Sequence, residues 1–287
     1  MKRQPLRLAI IEATRILERA GVASPRTDAE LIAAHVLGVE RSRLPLVPLV
    51  DPPVVEAIGQ LVNQRAKRVP LQHLTGWAPM GRITVDVGAG VFVPRPETEL
   101  LLEWGLSIIE GRQYPVVVDL CTGSGALALA VAHERPDAVV YAVDIDPQAL
   151  AWARHNAEAR AAAGDTAIRL YSGDIADGSM FAELDGLVDL VLCNPPYVPP
   201  STEVPPEVAD FDPPQAVFAQ EGGLEVIRYA VAAGARLLKP TGGLAIEHDD
   251  THGSVVPELI AGRRVLSDVR CHPDLTGRPR FTTARRG

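Results

Sequence analysis

Through residues 116–193, short apolar segments alternate with longer segments of helical character. The predicted strands are apolar on both faces, and they are Val116–Leu120, Val139–Val143, Ile168–Ser172 and Val188–Cys193. The predicted helices between them are Ala126–Glu134 and Pro147–Ala163, and a later helix, strand and strand pair are Leu224–Leu238, Gly243–Glu247, Arg264–Cys271 and Arg280–Thr283. Strands without a polar face pack in parallel sheets that helices cover on both sides. We therefore expect an α/β fold with an open, doubly wound parallel sheet, whose ligands bind beyond the carboxyl ends of the strands.

The first 75 residues have helical periodicity instead of this alternation. The predicted helices are Leu6–Ala20, a second from Thr27 to Leu37, and Pro52–Arg68. Thr27 and Glu30 have the spacing of a capping box at the start of the second helix. A β-hairpin is predicted next, with strands Ile83–Val87 and Val91–Val93 joined by the glycine-containing turn 88–90. We therefore expect a helical domain at residues 1–75, a hairpin linker at 76–95 and the α/β domain at 96–287.

Charge and cysteine content narrow the classes of partner and compartment. Residues 1–75 carry 11 Lys and Arg against 7 Asp and Glu, a net +4, whereas residues 76–287 carry 17 against 29, a net −12. An acidic main domain is poorly suited to neutralising phosphates, so we expect no stable nucleic-acid complex. The three cysteines are widely spaced, and the chain has neither an apolar run of about 20 residues nor a signal-peptide pattern. These features predict a cytoplasmic protein without disulfides, metal or a membrane span.

A glycine-rich turn follows the first strand of the α/β domain. From Asp119 to Ala128 it reads Asp-Leu-Cys-Thr-Gly-Ser-Gly-Ala-Leu-Ala, and its two glycines let the backbone approach a ligand beside a helix N-terminus. Asp144 ends the next strand, where its carboxylate is placed to accept hydrogen bonds from both hydroxyls of a ribose. Asp174, at the end of the third strand, is a candidate partner for an adenine amino group. The three strand ends together predict a nucleoside-containing cofactor.

Two cofactors fit this pattern. Gly123, Gly125 and Ala128 satisfy the fingerprint of a dinucleotide site, so NAD is an alternative. The acidic Asp119 that opens the motif is common in S-adenosylmethionine (SAM) sites and unusual in dinucleotide sites. The acceptor motif of this chain, which follows the strand Val188–Cys193, also has no role in hydride transfer. These two observations favour SAM.

The acceptor motif is Asn194-Pro195-Pro196-Tyr197. An amide or exocyclic amine nitrogen is a poor nucleophile, so its methylation depends on placement in line with the donor methyl group. The side-chain oxygen of Asn194 and the carbonyl of Pro195 are placed to accept the two N–H groups of such a nitrogen. The two prolines stiffen the loop, and the ring of Tyr197 can stack on a planar amide or base. The motif predicts methyl transfer to a planar NH2 group without a general base.

Several motifs together resemble the PrmC/HemK-type release factor glutamine methyltransferases, and they are Phe92–Glu99, Asp119–Gly125, Val143-Asp144, Asn194–Tyr197 and the segments Pro70–Gly76 and Leu237–Gly243. The similarity covers nearly the whole chain, and Phe92–Glu99 and Gln72–Gly76 are its most specific parts. It implies a Rossmann-like class I SAM-dependent methyltransferase domain, joined by the β-hairpin to a small N-terminal helical bundle that docks the substrate. The implied reaction is N5-methylation of the glutamine in the Gly-Gly-Gln motif of bacterial class 1 peptide chain release factors, with S-adenosylhomocysteine as product.

The resemblance also implies roles for individual residues. The residues that would contact the cofactor are Cys121, Thr122, Gly123, Ser124, Gly125, Asp144, Asp174, Ile175 and Asn194. Asn194, Pro195 and Tyr197 would be catalytic, and with Pro196 they would hold the glutamine amide. Arg95, Pro96 and Glu97 would lie over the methyl group or the incoming substrate loop.

The chain departs from the family pattern at three places. The family usually has Gly at the position of Cys121, where a side chain is tolerable if φ is negative. An aromatic residue is frequent where Ile175 stands, and Gly is more usual within the segment Glu247–Asp250. We interpret Cys121 and Cys193 as small buried apolar side chains. Asp249, Asp250, His248 and His252 are interpreted as loop residues.

Two other functions remain open on the residues alone. One is an amino-methyltransferase acting on a flipped DNA adenine or on RNA guanine, against which the acidic main domain counts. The other is a non-catalytic adaptor with a vestigial SAM fold, against which the intact Asn194–Tyr197 motif and Asp144 count. The leading expectation is a monomeric enzyme that meets release factors as protein substrates.

Overall fold

The computed structural model describes residues 3–287 of the chain. These residues form two compact units. The first comprises the described residues up to Trp77 together with Pro205–Phe211, and the second comprises Ala78–Val204 together with Asp212–Gly287. Among residues 3–287, no helix combines the length and the apolar character that crossing a membrane requires.

Helices dominate the N-terminal part of the first unit. The elements are β1 (Gln4–Pro5), α1 (Leu6–Arg19), α2 (Pro25–Leu37), β2 (Leu49–Val50), α3 (Pro52–Ala66) and α4 (Leu71–Thr75), with a 3-10 turn at Arg41–Leu46. The first three helices pack through fully buried side chains, among them Leu17, Ile32 and Val62. Burial of one apolar stripe per helix therefore stabilises this unit.

The start of α2 differs from the predicted capping box. The helix begins at Pro25, whose ring fixes φ in the helical range and whose missing N–H needs no partner at this position. Thr27 consequently lies inside the first turn. The carboxylate of Glu30 pairs with Arg26 and Arg41 instead of capping the helix. The capping-box prediction is wrong because a proline takes the first helical position two residues earlier.

A buried ion-pair network holds the segment 205–211 within the first unit. Arg65 donates to Oδ2 of Asp28 at 2.7 Å and pairs with Oε1 of Glu207 at 2.8 Å. Arg68 donates to Oε2 of Glu207 at 2.6 Å. Burial by itself raises the pKa of Glu207, but the hydrogen bonds from Arg68 and Arg65 outweigh it and lower the pKa to about 2. Glu207 is therefore ionised at neutral pH.

Replacing Asp28 by alanine tests this network. The side chains of Arg65 and Asp28 are only 8% and 11% exposed, so D28A leaves a buried guanidinium without one of its partners. We expect the free energy of unfolding of the first unit to fall by about 3 kcal/mol, measured by urea denaturation. The control D51A removes an exposed pair with Arg3 and should lower the stability far less than D28A, because solvent screens exposed ion pairs. Equal losses in the two variants would contradict this account.

The remaining elements follow in chain order. They are β3 (Trp77–Met80), β4 (Ile83–Asp86), α5 (Glu99–Ile109), β5 (Val116–Leu120), α6 (Ala126–Glu134), β6 (Val139–Asp144), α7 (Pro147–Ala162), β7 (Arg169–Ser172), β8 (Val188–Cys193), α8 (Pro206–Ala209), α9 (Pro214–Val217), α10 (Gln220–Gly223), α11 (Glu225–Leu237), β9 (Leu238–Glu247), α12 (Val255–Ala261), β10 (Leu266–Pro273) and β11 (Pro279–Arg286). Short 3-10 turns occur at Pro96–Thr98, Ala182–Leu184 and Asp250–His252. The predicted strands from residue 116 onward are confirmed, although β9 begins five residues before its predicted start.

The central sheet has seven strands in the order β10-β11-β9-β8-β5-β6-β7. Strands β7, β6, β5, β8 and β9 are parallel, whereas β11 is antiparallel to both β9 and β10. The sheet is therefore mixed rather than wholly parallel. The short connection between β10 and β11 leaves no room for a crossover helix, so the last strand returns antiparallel.

The β-hairpin differs from its prediction in the position of its strands. It consists of β3 and β4, which turn at Gly81 with φ of +56°. Val91 and Val93 are buried in the core without forming a strand. The N–H of Val93 donates to Oδ1 of Asp212 at 3.4 Å. The predicted strand Val91–Val93 is wrong because a carboxylate, and not a neighbouring strand, accepts from this backbone.

Candidate active site

The strand order of the sheet reverses at β5, which lies between β6 and β8. Leu120 at the end of β5 is in register with Val143 of β6 and Cys193 of β8. Because these strands are parallel, the residues that follow them leave the sheet at the same edge. The glycine-rich loop 121–125 and Asn194 therefore meet where open α/β sheets bind their ligands.

The carboxylate of Asp144 organises the glycine-rich loop 121–125. Its Oδ2 accepts from the N–H of Gly123 at 2.8 Å, and its Oδ1 accepts from the N–H of Asp146 at 2.9 Å. Burial raises the pKa of Asp144, and these two amides act against that rise. Gly123 and Gly125 have φ of +56° and +82°, and a Cβ built at Gly123 would meet no atom within 4 Å. The loop thus needs glycine for its backbone conformation and has open space beside it.

Two buried polar atoms at this loop make no hydrogen bond within the part of the chain that the structure describes. They are Oδ1 of Asp119 and Oγ of Ser124. The other oxygen of Asp119 accepts from the hydroxyl of Thr122 at 2.6 Å. Burial raises the pKa of Asp119 to about 7, and the hydrogen bond from Thr122 acts against that rise. Since a nearby cation favours an ionised carboxylate, this site is suited to a positively charged ligand.

Asn156 of α7 supports the loop and was not predicted as a functional residue. Its side chain is buried, and its Nδ2 donates to the carbonyl oxygens of Ser124 and Asp86, each at 3.0 Å. Its Oδ1 accepts from the N–H of Asp86 at 2.8 Å. One carboxamide thus joins the glycine-rich loop to the end of β4. The available signal was an asparagine among the apolar positions of a predicted helix.

Cys121 has a backbone conformation that glycine adopts more easily. Its φ is +59°, which does not meet the negative φ on which the tolerance of a side chain was predicted. The strain of this left-handed conformation is about 1 kcal/mol. Cys193 is fully buried, and burial, together with the neighbouring Cys121, raises the pKa of Cys193 well above its ordinary value. Cys193 is therefore confirmed as a buried side chain, whereas Cys121 is half-buried.

Asp174 and Ile175 lie beyond the end of β7, which stops at Ser172. Asp174 is exposed, and its Oδ1 accepts from the N–H of Ala176 at 2.8 Å. Ile175 is half-buried against the apolar cluster that contains Val143. Asp174 thus caps a turn two residues past its expected place at the strand end. The role of both residues in adenine recognition stays a prediction.

At the acceptor motif, four side chains from distant parts of the chain form one hydrogen-bonded row. Nδ2 of Asn194 donates to Oγ1 of Thr98 at 3.1 Å, and the Thr98 hydroxyl donates to Oε2 of Glu247 at 2.8 Å. The hydroxyl of Tyr197 donates to Oε1 of Glu247 at 3.0 Å. Both ends of the acceptor motif are therefore joined to the same carboxylate.

Glu247 lies in a buried and electrostatically mixed environment. Burial raises its pKa, whereas the hydrogen bonds from Thr98 and Tyr197 and the charge of Arg280 act in the opposite direction. The charge of Glu97 adds to the rise. Burial and the neighbouring Glu247 raise the pKa of Tyr197 well above its ordinary value, so this residue remains a neutral phenol.

Thr98 and Glu247 were not predicted as site residues. Thr98 belongs to the distinctive segment Phe92–Glu99, and Glu247 ends the apolar strand β9. A carboxylate at the carboxyl end of a buried strand is the same signal that identified Asp144. Glu247 carries the same signal, because it is the last residue of β9.

The loop after the acceptor motif is fixed by residues 217–223. The N–H of Val198 donates to the carbonyl of Val217 at 3.0 Å, and the carbonyl of Val198 accepts from Ala219 at 3.0 Å. Gly223 has φ of +89°, and a Cβ built there would lie 2.0 Å from the carbonyl oxygen of Tyr197. Only glycine therefore allows this close approach of the two backbones.

Comparison with known proteins identifies the family. Residues 9–76 match the PrmC N-terminal domain, and residues 96–239 match the methyltransferase small domain. A release factor glutamine methyltransferase of Mycolicibacterium smegmatis is 51% identical over 284 residues, which cover 98% of each chain. The namesake from Corynebacterium glutamicum is 44% identical, covering 97% of this chain and 98% of the other. The chain belongs to the release factor glutamine methyltransferase family.

Family membership confirms the resemblance and the Rossmann-like methyltransferase fold drawn from the sequence. A solved methyltransferase from Pyrococcus furiosus aligns with a TM-score of 0.51 at 18% identity, over 71% of this chain and 88% of that one. That similarity supports the fold alone. Membership of a methyltransferase family also decides between the two cofactors in favour of SAM.

The residues at the glycine-rich loop fit SAM, which carries a sulfonium and an ammonium group. The buried carboxyl of Asp119 and the hydroxyl of Ser124 each hold an atom without a partner in residues 3–287. Asp144 has lone pairs beyond the two that accept from backbone amides. Within the same residues, no group of three His, Cys, Asp or Glu side chains is placed to hold a metal ion.

Arg95 is held in place by its own neighbours. It forms an ion pair with Asp212, whose side chain is fully buried, and its guanidinium lies 4.7 Å from the ring centroid of Phe92. Burial raises the pKa of Asp212, and the charge of Arg95 acts against that rise. These contacts stabilise the segment that contains Thr98. The assignment of Arg95 and Glu97 to substrate binding stays a prediction.

The histidines after β9 lie in the segment that connects β9 to α12, as predicted, but their rings are buried. His248 is fully buried, and its ring hydrogen-bonds with Oγ1 of Thr282 at 2.8 Å. His252 is also buried, and its Nε2 lies 2.9 Å from the carbonyl oxygen of Gly222. Both rings therefore find polar partners inside the fold, although their backbone belongs to a connecting segment. Asp249 caps the following turn by accepting from the N–H of Thr251 at 3.0 Å.

Substitution of Gly223 tests the support of the acceptor motif. In G223A the new Cβ overlaps the Tyr197 carbonyl oxygen, so we expect a loss of about 3 kcal/mol in the free energy of unfolding. The matched control is G222A, which has φ of +67° but no atom within 4 Å of its Cβ. It should show only the left-handed strain of about 1 kcal/mol. Urea denaturation measures both values, and a G223A protein as stable as G222A would contradict the described contact.

Proposed function

We propose that this protein transfers the methyl group of SAM to N5 of the glutamine in the Gly-Gly-Gln motif of class 1 peptide chain release factors. The observation that carries the proposal is the Asn194 carboxamide at the strand end beside the glycine-rich loop. Its Nδ2 is engaged by Thr98, which leaves Oδ1 to meet the N–H of a substrate amide. The names of the relatives support the substrate class.

Placement of the glutamine amide carries the reaction. An amide nitrogen has a delocalised lone pair, so it reacts only when held close to and in line with the methyl carbon. Oδ1 of Asn194 accepts one N–H, the carbonyl of Pro195 accepts the other, and the ring of Tyr197 covers the planar amide. Pro196 stiffens the loop between them. These four residues therefore fix the direction of the nitrogen lone pair.

The donor side of the site is assigned to the glycine-rich loop and the ends of β6 and β7. The residues proposed to contact SAM are Cys121, Thr122, Gly123, Ser124, Gly125, Asp144, Asp174, Ile175 and Asn194. When bound, SAM supplies a methyl group on a sulfonium and leaves as S-adenosylhomocysteine. Burial raises the pKa of Asp119 to about 7, so a cationic ligand beside it would favour the ionised carboxylate.

No side chain of the site needs to act as a general base. The substrate nitrogen forms its bond to the methyl carbon as the carbon–sulfur bond breaks, and the methylated nitrogen is then acidic enough to release its proton to water. Tyr197 cannot serve as a base, because burial and Glu247 keep it a neutral phenol. The acceptor motif therefore contributes positioning rather than proton transfer.

The N-terminal domain, residues 1–75, is proposed to dock the release factor, and its net charge of +4 supports contact with an acidic surface. The residues proposed to meet the incoming loop are Arg95 and Glu97. A release factor substrate also places the reaction in the cytoplasm. We propose that the enzyme acts as a monomer without stable binding to nucleic acid, since its main domain carries a net charge of −12.

Transfer of labelled methyl groups tests the substrate. The protein is incubated with methyl-labelled SAM and one of three acceptors, namely a release factor, the same factor with the Gly-Gly-Gln glutamine changed to asparagine, or duplex DNA. We expect label only on the unchanged release factor, because the shorter asparagine cannot bring its amide to Asn194. Label on DNA would support the amino-methyltransferase alternative, and equal label on both release factors would also contradict the proposal.

A further inference from the structure

An asparagine side chain has two ends of similar shape and opposite hydrogen-bonding character. The Oδ1 end accepts hydrogen bonds, and the Nδ2 end donates them. A glutamine amide presents N–H groups, so it binds productively only to the oxygen end of Asn194. This inference rests on the function proposed above, in which methyl transfer requires that the site keep this carboxamide from turning over.

Thr98 decides the orientation of Asn194 because a hydroxyl has a single hydrogen to donate. That hydrogen points to Oε2 of Glu247, which accepts it at 2.8 Å. Toward Asn194, which lies 3.1 Å away, the Thr98 oxygen can therefore only accept as well. The donor end of the carboxamide must face Thr98, and its oxygen end must face away.

Glu247 is itself prevented from turning. Its second oxygen accepts from the hydroxyl of Tyr197 at 3.0 Å, so both carboxylate oxygens already have a donor. Thr98 and Glu247 are 3% and 1% exposed, so bulk solvent does not reach either side chain. Burial raises the pKa of Glu247, and the hydrogen bonds from Thr98 and Tyr197 and the charge of Arg280 act against that rise. The row from Glu247 to Asn194 therefore has one permitted direction of hydrogen bonds.

We propose that Thr98 and Glu247 are positioning residues, which hold the oxygen end of the Asn194 carboxamide toward the substrate amide. Neither side chain is assigned a contact with substrate. Their effect is on geometry and polarity, because a wrongly turned carboxamide would present N–H to N–H. A donating hydrogen bond at Nδ2 also makes Oδ1 a stronger acceptor, since hydrogen bonds in a row polarise one another.

The variant T98V tests this proposal, because valine keeps the shape of threonine and removes the hydroxyl. We expect kcat for release factor methylation to fall about 100-fold, while the dissociation constant for SAM, measured by calorimetry, changes less than about twofold. T98S retains the hydroxyl and should recover kcat to within about threefold of the unchanged protein. This rescue separates the hydroxyl from the volume of the side chain.

The variant E247Q tests the same row from its other end. The Glu247 carboxylate has two acceptor oxygens, one for the hydroxyl of Thr98 and one for the hydroxyl of Tyr197. A glutamine side chain has only one such oxygen, so its NH2 group must face one of the two hydroxyls. When it faces Thr98, the hydroxyl hydrogen turns toward Asn194 and reverses the carboxamide. We expect kcat to fall at least about tenfold, with the double variant T98V/E247Q no slower than T98V, because the two residues act through one row. If T98V is recovered unfolded, E247Q carries the test by itself.

The matched control is T283V, which removes another buried threonine hydroxyl. The Thr283 hydroxyl bonds with Nε2 of His272 at 2.8 Å and has no part in the Asn194 row. Its kcat should equal that of the unchanged protein. An unchanged kcat in folded T98V and E247Q would overturn the proposal while leaving the proposed function intact. An unmodified protein that labels no release factor would overturn the proposed function, and this inference with it.

Discussion

The parallel pairing of β5 with β8 is the constraint on which the site depends. Leu120 and Cys193 are in register, so the loop that follows one strand and the acceptor motif that follows the other start side by side. Both strands are buried on both faces, so a shift of register would disrupt the close packing of their side chains. The distance between donor and acceptor residues is therefore set by backbone hydrogen bonds in the core, and not by flexible loops.

The same register explains how a residue far along the chain reaches Asn194. β9 lies beside β8, and Ile246 pairs with Cys193. Glu247 follows Ile246 as Asn194 follows Cys193, so the two side chains emerge at the same edge of the sheet. Thr98, at the start of α5, fills the space between them. Burying a carboxylate costs several kcal/mol, and two hydroxyl donors and a nearby arginine offset this cost.

Much of the fold was predictable because its strands are short, apolar and regularly spaced, and the ends of these strands identified Asp144 and Asn194. The features that the sequence did not reveal depend mostly on contacts between residues far apart in the chain. Thr98 and Glu247 are separated by 149 positions, so no local pattern reveals their hydrogen bond. The left-handed backbone of Cys121 is likewise imposed by the loop around it. The start of α2, in contrast, is set by a local feature, because a proline occupies its first helical position.

The central claim is that the end of β5 binds the donor while the end of β8 positions the acceptor. The most direct measurement compares SAM affinity and the single-turnover rate of methyl transfer in N194A and in the unchanged protein. The account predicts a dissociation constant for SAM within about twofold, because the other eight proposed SAM contacts remain, and a rate at saturating SAM lowered about 100-fold. A collapse of SAM affinity with an unchanged rate at saturating SAM would contradict it.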